Sequence, residues 1–334
     1  MSALHVEQKP ALPLPWHATI WQQWHQQLYA DRLPHALLIS GEAGLGKRTL
    51  ARALAHFLLC EQPQGQHPCG HCAGCQLLES GFHPDWYNLQ PEAEGKAIRI
   101  DAIRDLTQRL HQSAQKGGYK VVLLWPAEAL NLHAANALLK TLEEPEPATL
   151  FILVSDQPSR LPATLRSRCQ HWALPIPRRE DILPWLSCQL SADQQPEQLL
   201  RAAGGRPFAA LKLLDTSIEQ QRIELVRLME QLTCGADPLE LIAPLKKLEL
   251  PWVVSSLNRW CAETLRLVMV GEAAVQDTRQ MPLYQQWADC FSLQQLLAVQ
   301  QELQQRQRHL QGHPNEELFL EGLVITLQRA LHDE

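Results

Sequence analysis

At 334 residues the chain is longer than one hydrophobic core usually serves, so two or three domains are expected. Its 45% hydrophobic content is that of an ordinary globular protein, and with no run of 18 apolar residues and no basic, then apolar N-terminal leader, neither a membrane span nor a secretory signal is expected and a cytoplasmic place is. A formal charge of −6 argues against a freestanding nucleic-acid binder, which needs clustered Lys and Arg against phosphates, without excluding DNA contact inside a larger assembly.

The first predicted element is a helix over Ala18 to Tyr29, with Ile20, Trp21, Trp24 and Leu28 on one face. An apolar strand, His35 to Ser40, then runs into GEAGLGKRT at 41–49, and Leu50, Leu54, Phe57 and Leu58 continue as a helix to about Leu59. Strand, glycine loop and helix are the context a phosphate-binding loop requires, with Gly41, Gly44, Gly46, Lys47 and Thr49 as its candidate nucleotide-binding residues. Loop amides and a helix N-terminus hold anions without magnesium, so the loop either still binds ATP or ADP or is a relic that keeps only the shape.

Hydrolysis needs more. A hydroxyl after the lysine and a carboxylate at the end of the next central strand hold the Mg²⁺. Here Arg48 stands at the hydroxyl position, with Thr49 one residue late, and the strand Tyr119 to Leu124 runs into Trp125 and Pro126. Neither residue can ligate an ion that demands near-octahedral oxygens. Glu128 is the nearest acid, and reaching the site would require a register shift past Pro126, whose φ is fixed.

Between the loop's helix and a strand at Trp86 to Leu89 lies a Gly, Pro and Cys-rich insert, Cys60 to Cys75. Its C-x8-C-x2-C-x2-C spacing lets Cys60, Cys69, Cys72 and Cys75 turn onto one metal. Four thiolates suit tetrahedral Zn²⁺ in a closed, structural site, against the alternative of unliganded cytosolic thiols. His67 and His71 are second-rank ligands, since four cysteines already complete the shell. The other cysteines, 169, 188, 234, 261 and 290, are scattered and are expected to be buried small residues.

A helix over 99–113, the glycines at 117 and 118, the strand 119–124, a helix over 131–144 and the strand Leu150 to Ser155 follow. Such alternation predicts a parallel sheet covered by helices. A boundary is expected near 173. Short helices interrupted around Pro184, Pro196 and Gly204–Gly205 come next, and from about 217 several amphipathic helices, with Ile223, Leu225, Leu228 and Leu232 and later Leu296, Val299 and Leu303 as apolar positions. The Gln-rich stretch 294–307 keeps helical spacing. Most of the ten tryptophans sit at helix-like apolar positions and are expected in cores or interfaces, not stacked on bases.

Three segments together resemble one family. AANALLKTLEEP at 134–145, LFILV at 150–154 and LPATLRSRC at 161–169 look like the ATPase-core signature of clamp-loader subunits, the bacterial relatives of replication factor C. The cysteine insert resembles the zinc module of the bacterial DNA polymerase III branch of that family. With an eroded magnesium site beside a retained Ser167, Arg168 and Cys169, the resemblance is to its non-hydrolysing kind of subunit.

That resemblance implies an α/β fold: an AAA+ type parallel-sheet domain with the zinc-module insert (1–172), a small helical lid domain (173–216) and an all-helical C-terminal collar domain (217–334). It implies a place in a pentameric ring with the delta subunit and gamma or tau motor subunits, which loads a sliding clamp on primed DNA. Intrinsic ATPase activity is not expected. Arg168 is implied to act in trans on a neighbour's ATP; on sequence alone, an ion pair with a nearby acid is the favoured reading, and the resemblance reverses that order. The family's second sensor arginine has no good match, Arg206 lying in a poorly aligned GGRP context. Glu143 and Glu144, on the unfavourable end of a helix dipole, pair with no nucleophile and read as structural. Two other classes stay open: an active AAA+ motor with magnesium ligands from unexpected positions, and a zinc-dependent nucleic-acid-binding module.

Overall fold

The computed structural model describes residues 12–93, 95–116, 118–191, 194–310 and 315–332. The reading of the N-terminus as leaderless and the turn at Gly117 lie partly or wholly outside them. The chain divides into two compact units, Met1–Pro196 with Gly205–Leu211, and Glu197–Gly204 with Lys212–Glu334.

The first unit is built on five parallel strands, β1 (Ala36–Ser40), β2 (Trp86–Leu89), β3 (Lys120–Leu124), β4 (Thr149–Ser155) and β5 (Gln170–Ala173), in the order β2-β3-β4-β1-β5. β1, β3 and β4 are buried along their whole length because helices cover both faces, and that is why they read as unbroken apolar runs. Alternation along each strand sorts the side chains into two cores. Leu37, Ile39, Val121, Leu123, Ile152 and Val154 pack with Trp21 and Trp24 of α1 (Ala18–Tyr29) and with Leu50, Leu54 and Phe57 of α2 (Lys47–Leu58). A short helix, α3 (Ala73–Glu79), closes the cysteine insert. On the opposite face, Leu38, Val122, Phe151 and Leu153 pack with Ile103 and Leu106 of α4 (Ile100–Leu110) and Leu138 and Leu142 of α5 (Leu132–Glu143).

After β1 the chain leaves for the far edge at β2 and returns through β3 to β4, so a switch in strand order falls between β1 and β4. In open α/β sheets the crevice at the carboxyl ends of the strands, at such a switch, is where ligands bind. The glycine loop after β1, Asp156 after β4 and Trp125 after β3 all lie at that edge.

The edge strand β5 escapes sequence pattern because QHWA pairs on one side only and buries a single residue, Trp172. It follows α6 (Ala163–Arg166). α7 (Arg179–Gln189) corrects the expected break at Pro184, since the helix runs through it. The carbonyl that loses its partner belongs to Glu180 in the exposed first turn, where solvent is free to satisfy it. α8 (Pro196–Ala202) and α9 (Pro207–Lys212) follow, separated around Gly204–Gly205 as expected.

The second unit's long helices are α10 (Thr216–Thr233), α11 (Pro238–Leu245), α12 (Leu250–Val270), α13 (Met281–Cys290), α14 (Leu293–His309) and α15 (Glu316–His332). One core joins Leu225, Leu228 and Leu232 to Trp260, Tyr284, Leu296, Val299 and Leu303. Ile223, predicted with them, is exposed, because the buried stripe of α10 runs through Leu225, Leu228, Met229 and Leu232. Asp215, Asp237 and Ser292 accept backbone N–H groups at the starts of α10, α11 and α14. Among the described residues no helix is long and apolar enough to cross a membrane.

Two buried histidines of the first unit contribute to its response to acid. Burial holds His17, whose ring lies against the Leu45 carbonyl, and His56 on α2 each at about 4. A depressed folded value means the unfolded chain binds protons first, so stability present above about 6.5 is lost as pH falls toward about 4. Each contributes about 3 kcal/mol across that window. Urea midpoints should fall between pH 7 and pH 4.5, with a shallower slope in His56→Gln; an unchanged slope would remove His56 from the account.

Candidate functional site: a closed phosphate loop, a surface arginine and a four-cysteine centre

Gly46 ends the loop in left-handed backbone (φ 81°) and passes the chain into α2. The loop is therefore shaped as predicted, but its surroundings are filled. The Phe208 N–H at the start of α9 donates to the Gly44 carbonyl at 3.0 Å. A Cβ at Gly44 would lie 2.9 Å from the Ala209 nitrogen, and one at Gly46 2.8 Å from both Leu14 and Phe208, so only glycine lets these segments sit on the loop. The Trp16 indole donates to the Leu45 carbonyl at 2.9 Å and packs edge-on to Trp185, which in turn meets Phe208. Arg206, set aside on sequence, is brought to the loop and stands 3.6 Å from Glu42.

Lys47 is buried, and its ammonium is spoken for. It donates to the Glu42 carbonyl and pairs with Asp156, both at 2.5 Å. The Asp156 N–H in turn donates to Glu128 at 3.0 Å, so Glu128 reaches this corner through the strand end of β4 and not by a register shift of its own. Asp156 escaped the sequence reading. The signal available was its position, one residue beyond an apolar strand at the sheet's carboxyl edge.

The predicted gap in the metal site is occupied by a different interaction. The Arg48 guanidinium lies over the Trp125 ring, 4.5 Å from its centre. The residue in the hydroxyl's place and the residue in the carboxylate's place thus hold each other through a cation–π contact. A fixed positive charge stands where a hydrolase would gather oxygens around Mg²⁺. Thr49 is half-buried on α2.

Arg168 follows α6 at the surface, with its side chain one-third exposed. One Nη donates to the Thr164 carbonyl at 2.8 Å, and the other pairs with Glu143 at the end of α5. Ser167 donates to the same carbonyl at 3.0 Å, while Cys169 is buried, which pushes its thiol up to about 12. Ser-Arg-Cys is thus a surface arginine between a tether and an inert anchor.

The four cysteines of the insert converge. Their sulfurs lie within 4.8 Å of one another, with closest approaches of 3.5, 3.9 and 3.9 Å. Tetrahedral Zn²⁺ with Zn–S near 2.3 Å requires sulfurs about 3.8 Å apart, so the donor set fits that ion. Amides of Cys69, Cys72 and Cys75 point at the sulfurs of Cys60, Cys69 and Cys72 at 3.3–3.4 Å. Burial pushes Cys75 up and also opposes ionisation of Cys72, but amide donors from Cys75 and Glu61 bring the Cys72 thiol down to about 6. Neither histidine joins the cluster: His71 bonds the Cys69 carbonyl and His67 pairs through its backbone with Gln64. The insert is held to α1, where the Trp21 and His25 rings both meet the Gln66 carbonyl at 3.2 Å.

Fold and site define a parallel α/β protein with a phosphate-type loop, an Arg–Trp pair beside it and a centre fit for structural zinc. The family described as "DNA polymerase III, delta subunit" matches residues 16–177. The chain is 39% identical to DNA polymerase III subunit delta' of Pseudomonas aeruginosa over 93% of this chain and 96% of that one. To the subunit of that name from Escherichia coli K12 it is 41% identical over 71% of each. Among solved structures, a DNA polymerase III gamma subunit-related protein from Thermotoga maritima aligns at 19% identity with a TM-score of 0.42, covering 89% of this chain and 95% of that one. The chain belongs to the DNA polymerase III delta' subunit family.

Proposed function

We propose that the chain is the stator of the DNA polymerase III clamp loader, an architectural subunit that completes a neighbour's ATP site and turns over no nucleotide itself. Its partners in this reading are the delta subunit and the gamma or tau motor subunits of a pentameric ring, and through that ring the sliding clamp and primed DNA. The lid (173–216) and collar (217–334) divisions belong to the same reading, with the collar as the ring's packing element.

One observation carries it: the place of the magnesium ligands is taken by Arg48 over Trp125, while Lys47 is neutralised by Asp156. A cation at that position repels Mg²⁺ and supplies no oxygen. ATP or ADP entering along Gly41, Gly44, Gly46, Lys47 and Thr49 would have to displace Asp156 from the lysine and Phe208 from the loop, both at a cost in broken contacts. The remaining chemistry lies outside the loop, in the charged, reachable Arg168, which a motor's γ-phosphate can accept as a finger. Bound Zn²⁺ would hold Cys60, Cys69, Cys72 and Cys75 in a closed shell and supply structure, not Lewis acidity.

The test is a calorimetric titration of the purified chain with ATP, with and without Mg²⁺, alongside steady-state hydrolysis. Binding enhanced by magnesium should be undetectable and turnover absent. Hydrolysis by the lone chain that disappears in Lys47→Ala would make it a motor and overturn the reading.

A further inference from the structure

We propose that Glu143 is the positioning residue for Arg168, holding the guanidinium in a fixed pose while leaving it able to bind phosphate; this rests on the finger reading above. A guanidinium carries five N–H donors. Two are used within the chain, one on Thr164 of α6 and one on Glu143 of α5, which leaves three, including Nε, to meet an anion. The arginine therefore need not release its own carboxylate to meet a neighbour's phosphate.

The placement of Glu143 has no other evident cause. As the last residue of α5 it stands where the helix dipole disfavours a carboxylate, and the Arg168 charge offsets that penalty. Its neighbour Glu144 is exposed at the same helix end and is no part of the contact. Two anchors on two different helices define the plane of the fork as well as its position, and a planar, bidentate donor needs both. The rest of the tripeptide agrees with this, since Ser167 tethers the backbone to the same Thr164 carbonyl and Cys169 is buried behind it.

The experiment uses the reconstituted clamp loader with the motor subunit beside Arg168 as the only one competent for hydrolysis. Turnover is compared for wild type, Arg168→Ala, Glu143→Ala, Glu143→Gln and Glu144→Ala, with thermal unfolding of each variant chain measured in parallel. Glu143→Ala should lower kcat by about 2- to 5-fold with KM for ATP unchanged, the size of effect expected from losing a partly exposed ion pair. Glu143→Gln, which keeps an acceptor oxygen, should recover most of that loss, and Glu144→Ala should match wild type. If Arg168→Ala is deficient while Glu143→Ala is not, or if Glu143→Ala is faster than wild type, Glu143 does not position the finger and the finger reading stands alone. A failure of Glu143→Gln to recover turnover likewise overturns the proposal. If Arg168→Ala itself is fully active, the finger reading has failed and this inference falls with it.

Discussion

Replacing Arg168 with alanine is expected to leave the chain folded and the ring assembled while removing hydrolysis at one motor site, by about 10³-fold at that site. The size follows from what the residue does in the proposed assembly. Its permanent charge would lie beside a phosphoryl group as negative charge develops on it, in a site from which water is excluded, where the electrostatic contribution is largest. Inside the chain the same side chain contributes little to stability, because its pair with Glu143 is partly exposed and solvent-screened pairs are weak. A variant that loses turnover with no change in unfolding midpoint is therefore the expected signature. Assembly should be checked by gel filtration and turnover by phosphate release; full turnover at equal assembly would remove Arg168 from the mechanism.

Stripping the metal from the cysteine cluster should have the largest effect on stability. Apparent binding free energies for structural zinc in small finger peptides are about 10–16 kcal/mol. Here α1, α2 and the sheet supply their own core, so the loss is confined to the insert and what leans on it. The insert leans on α1 through Gln66, against Trp21 and His25, and on Lys116 through Glu61, paired at 3.1 Å. Cys75→Ser should lose zinc and several kcal/mol, lowering Tm by about 10 °C. Because thiolates bind the ion, acid should release it and raising the pH should restore it. Preparations that contain about one zinc per chain and keep their Tm after chelation would contradict a structural role.

These two effects divide the molecule sensibly. In the proposed reading, metal at the cysteine cluster would act on folding, because its loss would disturb the contacts to α1, while Arg168 would act on a partner. The glycine loop, for its part, is packed against other segments of the chain. Its glycines now admit Leu14, Phe208 and Ala209 at distances no other residue would allow.

Sequence by itself determined the parts that depend on local spacing. β1, β3 and β4 were legible as apolar runs because strands buried on both faces have no polar positions to obscure them. α1 matched its predicted span because Trp21 and Trp24 fall on one face. The four cysteines were legible because two C-x2-C turns bring ligands together whatever surrounds them.

What only the tertiary structure decided are contacts between residues far apart in the chain. Nothing local indicates that Arg48 lies over Trp125, that Asp156 neutralises Lys47, that Arg206 reaches Glu42, or that Arg168 finds Glu143 and not another acid. β5 and the continuity of α7 through Pro184 belong with these, since an edge strand and a solvated helix start are set by what lies, or does not lie, beside them. The physical reason is common to all. Residue type states which interactions a side chain can make, whereas ion pairs, cation–π contacts and strand pairing act over a few ångströms, and those distances are created only when the sheet's crossovers bring the strand ends to one edge.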